Sequence, residues 1–145
     1  MALTLEILER LVGFDTVSAK PNAEIITFIQ NFLEMRGARC TPLPSKQNGK
    51  LGLYAEIGPQ SSGGILLSGH TDVVAVKGQH WTQNPFSLNH KSDRLYGRGT
   101  TDMKGYVACM LRSADLASRR QKKEPLKLVF SYDEEIGCVG IQEMM

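Results

Sequence analysis

The sequence lacks most of the features that mark specialised classes of protein. It has three cysteines, Cys40, Cys109 and Cys138, with no CxxC pair. That excludes a disulfide framework and a cysteine-based structural zinc site, and points to reduced thiols in a cytoplasmic protein. It has no apolar run of membrane-spanning length. Its first segment, MALTLEILERLVGF, is interrupted by Glu6, Glu9 and Arg10, a pattern that reads as an amphipathic helix and not as a signal peptide. It also lacks a strong charge of either sign: the net charge is +2, which implies neither nucleic acid nor a membrane surface as partner. Internal repeats are missing as well. What is present is ordinary: 145 residues, 41% hydrophobic and 22% charged, enough for one domain with a core.

Periodicity predicts the elements. Thr4 reads as the N-cap of a first helix carrying Leu5, Leu8, Leu11 and Val12. A second helix is expected from Ala23 to Met35, with Ile25, Phe28, Ile29 and Phe32 on one face and Gly37 as a left-handed C-terminal cap. Strands are expected near 38–43 and 51–57, with PQSSGG at 59–64 as an exposed turn. A short apolar run, Ile65–Ser68, ends in Gly69-His70-Thr71-Asp72. The polar stretch 76–101 reads as a long ordered excursion, anchored to the core by Trp81 and Phe86. Its His80 and His90 read as surface residues. Val107, Met110, Leu111 and Ala114 recur at helical spacing within 103–118, and LKLVFSY (126–132) is a strand followed by Asp133-Glu134-Glu135. Helices alternating with apolar strands predict an α/β fold, a partly parallel sheet flanked by helices.

In such sheets ligands bind beyond the carboxyl ends of the strands. His70/Asp72 and Glu134/Glu135 fall at two such ends, and Asp102 falls just before a helix. Singly, each has a plain structural explanation: a structural histidine, a helix N-cap, a solvated acidic turn. Together they form the nitrogen and oxygen donor set that suits zinc, cobalt or manganese. Asp72 lies two residues from His70, so in extended chain both side chains point the same way. A carboxylate there can accept the second ring proton of a ligating histidine. Residue chemistry alone leaves open which of Glu134 and Glu135 is ligand and which is base. Gly97-x-Gly99 does not make a dinucleotide loop, because Asp102 occupies the third glycine position and its charge repels a pyrophosphate. The basic cluster Arg119, Arg120, Lys122 and Lys123 reads as cations complementing a helix C-terminus, and Lys104 as a helix-start residue.

Three ordered motifs, GHTDVV (69–74), GRGTTDMKG (97–105) and DEE (133–135), closely resemble the N-terminal signatures of a dinuclear metallohydrolase family of zinc-exopeptidase type. It includes acetylornithine deacetylases, succinyl-diaminopimelate desuccinylases, aminoacylases and carboxypeptidases. The wording of RGTTDMKG and SYDEEIGCVG is most similar to the acetylornithine deacetylase branch. The resemblance implies two divalent metal ions, zinc or cobalt, with His70 on one, Asp102 bridging both and Glu135 on the other. It further implies Glu134 as general base, Asp72 as the orienter of His70, and a cis peptide at Asp102–Met103. The implied activity is hydrolysis of a small N-acylated amino acid, N-acetylornithine to ornithine and acetate in arginine biosynthesis. Desuccinylase, aminoacylase and dipeptidase activities are the alternatives within the family, and a non-catalytic module is the alternative outside it. The chain is expected to be the N-terminal part (1–145) of the catalytic domain. A further carboxylate and histidine, and a lid domain through which the full-length enzyme forms a homodimer, are expected downstream, so the chain alone is expected to be inactive. Ala75 stands where the family usually has proline.

Overall fold

A computed structural model describes residues 2–18, 20–46 and 49–145. Four strands, β1 (Arg39–Pro44), β2 (Leu51–Ile57), β3 (Ile65–His70) and β6 (Leu126–Ser131), form one sheet in the order β1-β2-β6-β3. The pairs β1·β2 and β2·β6 are antiparallel, whereas β3·β6 is parallel, with Gly69 opposite Phe130 and His70 opposite Ser131. The sheet is therefore mixed, as the sequence predicts. A parallel pair needs a long crossover. Here it contains a small hairpin, β4 (Asn89–Lys91) with β5 (Arg94–Tyr96), and the helix α3 (Gly105–Ser118).

Alternation decides the buried face. Leu53 and Ala55 of β2 and Leu128 and Phe130 of β6 are fully buried against α1 (Ala2–Val12), α2 (Ala23–Glu34) and α3. Full burial of one such Leu or Phe side chain contributes about 1.5–3 kcal/mol. On α3 the predicted stripe Val107, Met110, Leu111 and Ala114 is buried without exception. The approach to β3 is close: a side chain at Gly69 would meet Met110 Sδ at 3.2 Å. A last short helix, α4 (Val139–Met144), follows the acidic turn. The C-terminus of α2 ends as expected, with Gly37 at φ +77° and the Ala38 N–H returning to Leu33 O at 3.1 Å.

Several expectations change. Helix α1 already includes Ala2, so Thr4 lies inside its first turn and is not the N-cap; Ala2 and Leu3 are good helix formers that extend it. Leu5 is exposed and Ile7 takes its place in the core. Trp81 does not anchor the excursion. It is exposed, with the Arg98 guanidinium 5.3 Å from its ring, and Phe86 is only half-buried. Leu88 and Leu95 of the hairpin pack on the core instead. Lys122 does complement the α3 C-terminus, donating to Ala117 O at 2.7 Å and Arg120 O at 2.8 Å. Among the described residues, no helix is long and apolar enough to cross a membrane.

Candidate metal centre

The parallel pairing of β3 and β6 carries their C-terminal ends to the same edge of the sheet. His70 is the last residue of β3, and Glu134 and Glu135 begin the turn just past β6. Asp102 reaches the same edge by another route. A single wide helical turn, Thr100–Lys104, precedes α3 and is broken at Asp102 and Met103, whose backbones are not helical; the peptide between them is cis. Gly99 opens this turn at φ +80°, a conformation glycine adopts at no steric cost. Asp102 caps no helix: α3 starts at Gly105 without a side-chain cap. The Asp102 side chain faces His70 instead, with Oδ1 3.1 Å from Nε2.

His70 is held from both sides. Its Nδ1 lies 3.3 Å from Asp72 Oδ1 and 3.1 Å from the Asp72 carbonyl. Its backbone N–H points at Met103 Sδ, 3.4 Å away. With Nδ1 occupied by Asp72, Nε2 is the nitrogen left facing Asp102 and the Glu134 carboxylate, whose Oε2 lies 3.6 Å away. Ligand atoms of His70, Asp102 and Glu135 lie within 4.8 Å of one another. The spacing suits one small cation among one imidazole and two carboxylates.

Electrostatics mark the same spot. Burial disfavours a charged imidazole at His70, but the hydrogen bond and charge of Asp72, with Asp102 and Glu134, carry its pKa up to about 9. Burial also works against Asp72 ionising. Hydrogen bonds from His70, Ser18 and the N–H groups of Glu134 and Glu135 outweigh it and hold the carboxyl down at about 2. At Glu135, burial and then the charge of Asp102 push the carboxyl above its ordinary range. A rim that crowds carboxylates against each other in this way favours a bound cation. The donor set therefore fits a divalent metal.

The family can now be decided. The model describing peptidase family M20/M25/M40 matches residues 66–145, more than half of the chain. The chain belongs to this family. Among curated relatives, the acetylornithine deacetylase of Shigella sonnei (strain Ss046) is 35% identical over 144 residues, covering 94% of this chain and 37% of the relative. Among solved structures, an M20 family metallo-carboxypeptidase from Sulfolobus solfataricus superposes with a TM-score of 0.85 at 27% identity, covering 99% of this chain and 33% of that one. Human carnosine dipeptidase 1 gives 0.78 at 25% identity, over 97% and 34%. The chain thus spans about a third of the length of these relatives. The fold is the α/β fold of the zinc-exopeptidase type.

Three buried or short-range contacts of residues close to this rim in the fold carry no sequence signal. Ser18, 54 residues from Asp72, donates to Asp72 Oδ2 at 2.6 Å. Lys50 makes a buried ion pair with Asp133 at 2.7 Å, directly before Glu134. Asp133 sits at φ +53°, a conformation costing a non-glycine residue on the order of 1–3 kcal/mol; the ion pair helps hold it. Lys104, expected at an ordinary helix start, is wholly buried, and its Nζ donates to Phe14 O at 2.7 Å.

Proposed function

We propose that this chain supplies the N-terminal share of the catalytic domain of a metal-dependent amidohydrolase, with N-acetylornithine as substrate and ornithine and acetate as products. The observation that carries the reading is the convergence of His70, Asp102 and Glu135 on the three motifs that resemble the family's signatures. The 35% identity to an acetylornithine deacetylase over 94% of the chain supports the choice of substrate. Two divalent ions, zinc or cobalt, are proposed for the complete site, and His70, Asp102 and Glu135 would help to hold them. The three free cysteines support a cytoplasmic setting.

Bound divalent ions supply Lewis acidity: they polarise an amide carbonyl and make water acidic enough to lose a proton near neutral pH. The residues do the rest. Asp72 fixes the ring of His70 so that Nε2 points at the centre. Glu134, partly exposed and beside that nitrogen, accepts the proton of the attacking water and passes it to the departing amine. Asp102, with its side chain 70% exposed, keeps its carboxylate at the rim, where it would help to hold the metal.

Among the described residues three donor side chains converge, fewer than two four-coordinate ions need. The expected behaviour of the chain is weak or single-ion binding without useful turnover. Metal analysis and an N-acetylornithine hydrolysis assay test this; two tightly held ions with brisk hydrolysis contradict it. For the substrate, N-acetylornithine, N-succinyl-diaminopimelate and a dipeptide are compared on the complete polypeptide with cobalt or zinc. Preference for the acetyl substrate supports the assignment, and preference for either other compound overturns it.

A further inference from the structure

We propose that Ser18 is a positioning residue of the metal centre, acting through Asp72 on both the ring of His70 and the turn that carries Glu134 and Glu135. The inference rests on the reading of His70, Asp102 and Glu135 as a cation site.

The geometry centres on one buried carboxylate. Asp72 is 2% exposed and takes four donors among the described residues. Oδ1 faces His70 Nδ1 at 3.3 Å and the Glu134 N–H at 3.1 Å. Oδ2 accepts from Ser18 Oγ at 2.6 Å and from the Glu135 N–H at 3.2 Å. One carboxylate thereby joins the end of β3 to the acidic turn after β6. Its orientation is a rotation about the Cβ–Cγ bond, and the shortest hydrogen bond opposing that rotation comes from Ser18.

The competition at His70 makes that orientation matter. Nδ1 has two acceptors within reach, the Asp72 carboxylate and the Asp72 backbone carbonyl at 3.1 Å. With Oδ2 pinned by Ser18, Oδ1 stays turned toward the ring. Without the hydroxyl, Oδ2 keeps, among the described residues, only the Glu135 N–H, the carboxylate can swing, and Nδ1 can settle on the carbonyl. The ring would then rotate and take Nε2 off the axis shared with Asp102 and Glu135. The same swing loosens the two N–H contacts that set the Glu134–Glu135 turn.

The backbone of Ser18 is placed independently of its side chain. Its N–H donates to Val73 O at 3.1 Å, Val73 N–H donates to Thr16 O at 3.0 Å, and Val17 bridges Val73 in parallel. Thr16 Oγ1 adds a bond to Thr71 O at 2.6 Å. A ladder of this kind survives loss of one hydroxyl, so Ser18→Ala isolates the contact to Asp72.

The test is cobalt(II) binding by the chain, followed through the visible absorption of the ion, for wild type, Ser18→Ala and Ser18→Thr. The ring 15N resonances of His70 and the thermal midpoint are recorded for each. Ser18→Ala is expected to bind cobalt about tenfold more weakly, as for loss of a charge-assisted bond behind a ligand. Its His70 ring resonances move while the melting temperature stays close to wild type. Ser18→Thr, which keeps the hydroxyl, restores both. Wild-type binding with an indifferent Ser18→Ala overturns the inference alone, as does a Thr variant that restores nothing. Failure of the wild type to bind cobalt through His70 overturns the cation-site reading beneath it, and the inference falls with it. A Ser18→Ala protein that loses cobalt only in proportion to lost folding, with His70 resonances unmoved in the folded fraction, also contradicts it.

Discussion

The two arms of the centre are built differently. The His70–Asp72 arm is buried and tied down: an imidazole held at Nδ1, and a carboxylate with four donors drawn from three stretches of chain. The arm formed by Asp102 is 70% exposed at the side chain and touches His70 Nε2. One arm is fixed by the fold, and the other stands open at the rim. This division explains how a site rich in carboxylates can exist within a stable fold. The charges that folding must satisfy are paired inside, and those proposed to meet a cation stay at the rim.

Substitutions can break this contrast. The largest loss of stability is expected from Lys50→Met, which removes the buried cation paired with Asp133 and costs about 3–5 kcal/mol, read by urea denaturation. Asp72→Ala follows at about 3 kcal/mol, because four donors lose one charged acceptor. Its cobalt affinity should fall by roughly 10–100-fold. Lys104 sharpens the comparison through pH. Its burial lowers the pKa to about 7 from an ordinary 10.5. Between those values the unfolded chain holds a proton that the fold excludes, so stability climbs as pH rises from 7 toward 10.5. Lys104→Met should flatten that climb in denaturation curves taken across the range. Asp102→Asn is the smallest, within about 0.5 kcal/mol, yet it should remove cobalt binding. If Asp102→Asn unfolds the protein, or Asp72→Ala spares it, the contrast between the arms is wrong.

The fold was legible where burial follows a simple period. The stripe on α3 and the strand β2 stand where the spacing of their apolar residues puts them, because each buries one face against a single layer. Helix α1 was legible as a helix but not in its facing, since Leu5 and Ile7 both suit a stripe through Leu8 and Leu11 and only tertiary packing chooses. The hairpin Asn89–Tyr96 was missed, having strands of three residues and no alternation to detect. The nearness of His70 and Glu135 was legible from loop placement, because parallel strands must bring their carboxyl ends together, whereas Asp102 joins them from a turn before α3 and was legible from its motif. Ser18, Lys50 and Lys104 were not, for the opposite reason. Their partners are Asp72, Asp133 and Phe14, between 54 and 90 positions away, and no local pattern records such a pairing.

The most direct test is where a metal sits. Crystals soaked in cobalt(II) and measured at the cobalt absorption edge should give an anomalous peak about 2.0–2.2 Å from His70 Nε2 and from carboxylate oxygens of Asp102 and Glu135. A peak elsewhere, or cobalt bound in solution with none at this rim, would contradict the account.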